Sequence, residues 1–385
     1  MPNFQQSSSK CPDQVPGRDQ ASYDHYPSMV HKVGRGLVDG VVRVLFSDVD
    51  ATLVLGAGHS ENEIAQGQVE MQALVRSLNQ KGFIIIPVTG SHLDSSTKTT
   101  ESIIKRIEHG ILPGVGPHHH DRSYTVDAYV SDGGARALKS YHGGTYELDG
   151  LYSGRRGGLD FTYEALLGQA LGVAARINQQ LLSEQERILI AHYDRYAGID
   201  RVSLQPGTQE GHHKHVDKIA FYFYAVGLTE RDNVEKAFRQ FAEPFGLSVV
   251  CCEEKDANSA ARRHPTLTTL MARDSVPLKY CLDIVPFTKG NAVGYFCDYL
   301  ANLATEMAIE KNVARPKLEV WACGDSGNDQ PLMAPDIVSK IVVVGGASDE
   351  LIRYGNRLSA EGRTVFIESN PKRLGPASIA AAVLA

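Results

Sequence analysis

From Val41 to Phe46 the chain is apolar except for Arg43, and then reaches Asp48, the pattern of a strand buried on both faces of a parallel sheet. Residues from about Asn62 to Gln80 set Met71, Leu74, Val75 and Leu78 at helical spacing, and Gly82 supplies a stop. A second apolar run, Phe83 to Val88, follows at once. Strand, helix and strand in that order build right-handed parallel crossovers. Ala128 to Ser131, Leu318 to Cys323, Ile341 to Val344 and Thr364 to Ile367 have the same character and are expected as further core strands.

Between about Gly144 and Val285 the texture changes to glycine-rich turns, a helical stretch near Tyr163 to Ile177 and an alternating aromatic run from Ile219 to Val226. Val234, Phe238 and Phe241 then recur at helical spacing before a strand from Leu247 to Cys252. The expected architecture is α/β: a doubly wound, Rossmann-like parallel-sheet core from residues 41–143 and 286–385, interrupted by an inserted α+β module over 144–285. Residues 1–40 are polar, with Asp13, Asp19 and Asp24 among the bases, and are expected to form a disordered tail.

Length supports two folding units, since 385 residues exceed what one small core accommodates. A hydrophobic fraction of 42% and a charged fraction of 22% are those of a folded globular chain. The net charge of −6 leaves no basic stripe for a nucleic-acid backbone and no polybasic run for anionic lipid. The longest apolar runs fall short of the roughly 20 residues that cross a bilayer. The six cysteines, Cys11, Cys251, Cys252, Cys281, Cys297 and Cys323, lack CxxC spacing and are read as reduced. With no apolar run of the secretory kind near the start, a cytoplasmic location is expected; the oligomeric state is left open.

The chemistry concentrates in Phe46-Ser47-Asp48-Val49-Asp50-Ala51-Thr52-Leu53, where two carboxylates stand two apart at the carboxyl end of a strand. Alternate strand residues point the same way, so Asp48 and Asp50 project together into the crevice where open α/β sheets bind ligands. Paired carboxylates call for a cation, and hard oxygen donors select magnesium. Alone, this motif is more often a solvated acidic turn. Further pieces follow in order, however. Thr89-Gly90-Ser91 ends the second strand with a hydroxyl and a glycine suited to a phosphate oxygen. Lys289, followed by Gly290, opens a helix whose N-terminal amides attract the same anion. The last strand runs into Gly324-Asp325-Ser326-Gly327-Asn328-Asp329, with carboxylates four apart.

In this order the four motifs resemble those of haloacid dehalogenase phosphatases, over most of the chain from about Val41 onward. An insertion between the second and third motifs resembles a type IIB cap, and the GDSGND run with His215 to Tyr224 is similar to sucrose-phosphate phosphatases and related sugar-phosphate phosphatases. The resemblance implies that Asp48 is the nucleophile and that Asp50 is the acid, then the base. Thr89, Gly90, Ser91, Lys289 and Asn328 bind the substrate's phosphoryl group, and Asp48, Asp50 through its carbonyl, Asp325 and Asp329 hold or orient Mg2+. The implied activity is Mg2+-dependent hydrolysis of a small phosphorylated metabolite, a sugar phosphate, through an aspartyl-phosphate. A sugar phosphomutase with the same nucleophile and a non-catalytic scaffold are the rival readings.

Two positions depart from the family pattern. Ala51 replaces the glycine usual after the second aspartate, a modest change on size alone, and Ser91 stands where many relatives carry arginine. Other features have plainer readings. His118-His119-His120 and His212-His213-Lys214-His215 read as exposed loops, Arg155-Arg156 and Arg262-Arg263 as solvated pairs, and Trp321 as core. Asp160, Asp194, His212, His213 and Lys218 are the cap's candidate contacts to a polyhydroxylated leaving group.

Overall fold

The computed structural model describes residues 26–55, 59–90, 126–131, 136–141, 144–148, 163–182, 190–193, 219–224, 228–253, 279–285 and 287–385. Five parallel strands form the central sheet: β1 (Val41–Ser47), β2 (Ile84–Pro87), and, after two smaller sheets in the chain, β10 (Lys317–Gly324), β11 (Lys340–Val343) and β12 (Thr364–Ile367). Their order is β12-β11-β10-β1-β2, so the chain leaves β1 to one side for β2 and returns on its other side at β10. That reversal makes the β1/β10 crevice the switch point of the sheet.

Alternation along these strands divides the core. Val44, Phe46, Ile84, Ile86, Val320 and Ala322 face one way, against helix α1 (Pro27–Asp39), α5 (Lys289–Glu310), the short α6 (Gln330–Met333) and α7 (Asp349–Ala360). Leu45, Ile85, Trp321 and Cys323 face the other, against α2 (Glu61–Gln80) and α8 (Gly375–Val383). Each fully buried side chain of this kind contributes about 1.5–3 kcal/mol of transfer free energy. The doubly wound α/β reading therefore holds. Helix α2 starts where Ser60 and Glu63 close a reciprocal cap, with the Ser60 N–H 2.8 Å from the Glu63 carboxylate.

The second sheet is antiparallel, β6 (Ile190–Tyr193), β7 (Ile219–Tyr224), β9 (Lys279–Val285) and β8 (Ser248–Glu253) in the order β6-β7-β9-β8. Phe221, Phe223, Leu282 and Ile284 pack on α3 (Tyr163–Leu182) and α4 (Leu228–Ala242) through Leu166, Ala170, Val234 and Phe238. Helices cover one face of this sheet.

Two expectations change. Residues 27–39, assigned to a disordered tail, form α1, which buries Met29 and Val33 on the core. Glycines 34 and 36 hide its helical spacing, yet Gly36 is needed, since a Cβ there would lie 2.9 Å from the Val41 carbonyl oxygen. Ala128 to Val130 is buried as expected, but the strand heads an antiparallel sheet, β3 (Ala128–Ser131), β4 (Arg136–Tyr141) and β5 (Gly144–Leu148), joined to the central sheet by a Val88–Val130 bridge. Four residues separate β3 from β4, far too few for a parallel crossover. The five described cysteines, all but Cys11, are free thiols. Among the described residues no helix is long and apolar enough to cross a membrane.

Candidate active site

The site lies at the carboxyl edge of β2, β1 and β10, held by backbone bonds between strand ends. The Asp48 N–H donates to Cys323 O at 2.9 Å, and the Val88 N–H to Ser47 O at 2.8 Å. Asp48 and Asp325 thus leave adjacent parallel strands on the two sides of the switch point. Asp48, Asp325, Asp329 and Lys289 are each 5% exposed or less.

Lys289 is delivered by the first turn of α5. The Thr288 N–H donates to Asn291 Oδ1 at 2.8 Å, closing that turn, and Gly290 lets it approach the Pro331 carbonyl, where a Cβ would overlap the oxygen. The lysine Nζ lies 2.5 Å from both Asp48 Oδ1 and Asp329 Oδ1, and 3.3 Å from Asn328 Oδ1. Asn328, expected to bind substrate, therefore turns its carbonyl oxygen toward the lysine.

The acidic loop folds around Asp329, whose Oδ2 accepts the N–H groups of Asp325 at 2.9 Å and Ser326 at 3.1 Å. Gly324 is required by this arrangement, because a Cβ would sit 2.6 Å from that oxygen. Asp325 Oδ1 accepts from the Thr52 hydroxyl at 3.2 Å. The motif alone assigns Thr52 no role; its buried hydroxyl faces the second acidic cluster.

Burial, with Asp329 beside it, pushes the Asp48 carboxyl well above the usual carboxylate range, and Lys289 does not cancel the effect. Burial also opposes charge on Lys289, but Asp329 and Asp48 outweigh it and hold the ammonium protonated beyond an ordinary lysine. Three buried carboxylates thus face one ammonium, an imbalance a divalent cation relieves. Oxygens of Asp48, Asp325 and Asp329 lie within 4.8 Å of one another, a hard-donor set that fits Mg2+. Asp329 is in addition engaged by two N–H groups and the lysine.

Asp50 is exposed, at the mouth of the site, in a turn where Ala51 N–H donates to Val54 O at 2.8 Å. Ala51 has φ +62°, a left-handed conformation. The departure at this position is therefore one of backbone conformation and not of side-chain size alone. Thr89 is buried, its N–H 2.8 Å from Val130 O, and a Cβ on Gly90 beside it would meet none of the described residues within 4 Å. Ser91, the histidine clusters, both arginine pairs and the cap candidates Asp160, Asp194, His212, His213 and Lys218 lie outside the described residues. Trp321 is buried core, stacked on Phe366 at 5.7 Å.

Residues 244–375 match the family model described as sucrose-6F-phosphate phosphohydrolase, a stretch that contains Lys289 and the whole 324–329 loop. That stretch is about a third of the chain and takes in β10, β11 and β12 of the central sheet. Solved structures with similar folds include the sucrose-phosphatase of Synechocystis sp. in complex with sucrose and phosphate, at 15% identity and a TM-score of 0.43, covering 89% of this chain and 96% of that one. A haloacid dehalogenase-like hydrolase from Bacillus subtilis is 20% identical with a TM-score of 0.39, covering 89% and 94%. The C-terminal domain of a trehalose-6-phosphate phosphatase from C. albicans is 9% identical with a TM-score of 0.36, covering 88% and 83%. No curated protein matches the chain significantly.

Proposed function

We propose that this chain is a Mg2+-dependent phosphomonoester hydrolase of the haloacid dehalogenase phosphatase type, acting through an aspartyl-phosphate with a sugar phosphate as substrate. The observation that carries the reading is the buried Asp48–Lys289–Asp329 bridge beside Asp325 at the switch point of the sheet. Mg2+ held by Asp48, Asp325 and the Asp50 carbonyl, with Asp329 orienting that set, would neutralise charge on the transferring phosphoryl group. The Asp48 carboxylate attacks phosphorus while the ester P–O bond breaks, and Asp50 gives its proton to the departing alkoxide. Asp50 then takes a proton from water, whose oxygen attacks the phosphoryl group on Asp48 and releases phosphate and the free carboxylate. Lys289, with the Thr89 hydroxyl and the Gly90 N–H, binds the phosphoryl oxygens.

The substrate class is supported by the description of the family model. The motifs address only phosphoryl group and metal, so we assign choice among alcohols to the inserted module, over about residues 144–285, with the core formed by 41–143 and 286–385. The test is a phosphate-release screen over sugar phosphates, polyol phosphates and nucleotides. Mg2+ should support turnover, chelator should abolish it, and Ca2+ should fail to replace it, because its looser coordination captures the attacking carboxylate. Full activity in Ca2+ alone, or turnover only with a bisphosphate activator, would refute this reading.

A further inference from the structure

Outside the chemistry, a buried carboxylate sits where the second sheet meets the acidic loop. Glu350, 6% exposed in the first turn of α7, accepts at Oε1 from Arg231 Nη2 of α4 at 3.0 Å and at Oε2 from the Glu253 N–H of β8 at 2.7 Å. The same Arg231 Nη2 lies 2.9 Å from the Cys251 carbonyl oxygen, so one guanidinium grips both strand β8 and the carboxylate.

The other side of Glu350 meets the loop that carries Asp325 and Asp329. A Cβ on Gly327 would overlap its carboxylate and would lie 2.8 Å from the Cβ of Cys252 on β8. Gly327 is therefore glycine because Glu350 and β8 close over it. Two residues before Glu350, Ser348 caps α7 and donates its N–H to the Asp325 carbonyl at 2.8 Å. Burying an ion pair is costly, and an apolar contact of equal volume commonly serves stability as well or better. What directional bonds add is register: β8 can sit in one place relative to residues 325–329.

We propose that Glu350 is a positioning residue for metal binding, tying Arg231 and β8 to Gly327 so that the geometry of Asp325 and Asp329 depends on the placement of the second sheet. This rests on the metal site proposed above. Loosening the tie lets the loop relax and weakens Mg2+ before any substrate is present.

The test is calorimetric Mg2+ titration of the full chain without substrate, with amide exchange followed over residues 250–253 and 325–329. E350Q, whose side chain keeps one acceptor where two are used, and R231K, which lacks the guanidinium fork, should each raise the Mg2+ Kd about tenfold, the order seen for groups that orient metal ligands. Exchange should rise in both segments together. Their double variant should be no weaker than either single, because both break one tie. R353A, which removes the exposed Arg353–Glu253 pair at the same junction (2.9 Å), should stay within twofold of the parent. Unchanged Kd values in E350Q and R231K, or equal weakening by R353A, overturn the inference while leaving the metal site intact. If E350Q does not fold, R231K decides by the same threshold. A parent protein that binds no Mg2+ overturns the metal site itself.

Discussion

Lys289 Nζ stands 2.5 Å from Asp48 Oδ1 and is 5% exposed. At that depth the pair is worth little as net stabilisation, yet removing one partner alone leaves charge stranded, typically at a cost of 3–5 kcal/mol. Here the stranded charge is threefold, since Asp329 and Asp325 share the pocket.

Lys289→Ala should therefore destabilise the metal-free protein by about 3–5 kcal/mol, and Mg2+ should restore more of that loss than it adds to the parent protein. Chemical unfolding with chelator and with saturating Mg2+ measures both. Equal Mg2+ stabilisation of parent and variant would count against a shared acidic pocket.

The raised Asp48 carboxyl gives a prediction of opposite sign. A carboxyl whose folded pKa lies above its unfolded value of about 3.8 contributes stability that is complete below that value and is lost as pH rises through the folded pKa. Raising the pH thus costs the metal-free fold stability through the buried Asp48 carboxyl. Asp48→Asn should be at least as stable as the parent at pH 7 in chelator, with the gap closing as pH falls toward about 4. Turnover should drop about a thousandfold or more. A variant less stable than the parent at neutral pH and more stable in acid would reverse the sign and defeat the argument.

The backbone at Ala51 is a separate case. A left-handed L-residue costs about 1–2 kcal/mol, while glycine's extra unfolded freedom takes back about 0.5–1 kcal/mol. Ala51→Gly, at φ +62°, should hold or raise stability by up to about 1 kcal/mol, and Ala51→Val should lower it further than Ala51 does. Denaturant midpoints decide; a loss above about 1 kcal/mol in the glycine variant would mean that Ala51 makes packing contacts outweighing its strain.

How much of this was readable beforehand follows from which signals are local. Strand ends carrying Asp48, Thr89 and Asp325 are bounded by apolar runs, and a buried parallel strand has no other way to be written. Lys289 was legible through Gly290, although the reason for that glycine, the Pro331 carbonyl, lies 41 residues further on. The tie at Glu350 was not legible, because Arg231 and Glu350 are 119 residues apart and each reads alone as a solvated helical charge. Helix α1 was missed because two glycines interrupt a short apolar face whose cost is met only by the tertiary contact with β1 and α5. The positive φ at Ala51 carries no sequence signal at all, since alanine is the least informative residue for a left-handed turn.

Thr52 offers the most direct test of how the acidic loop is aimed. Its hydroxyl, fully buried, reaches from the loop after β1 to Asp325 Oδ1 at 3.2 Å, linking residues 273 apart. A hydrogen bond to a charged acceptor contributes about 1.5–3 kcal/mol, and here it engages one particular oxygen of the Asp325 carboxylate. Thr52→Val keeps the volume and the β-branch but removes the donor, so Asp325 loses its fixed orientation without leaving a cavity. The Mg2+ concentration for half-maximal rate should rise about tenfold, with kcat at saturating Mg2+ changing much less, because the nucleophile and Lys289 are untouched. Thr52→Ser retains the hydroxyl and should recover most of the Mg2+ affinity despite the lost methyl. If Thr52→Val lowers kcat at saturating Mg2+ while leaving the Mg2+ requirement unchanged, or if Thr52→Ser behaves like Thr52→Val, then the hydroxyl is not what orients Asp325.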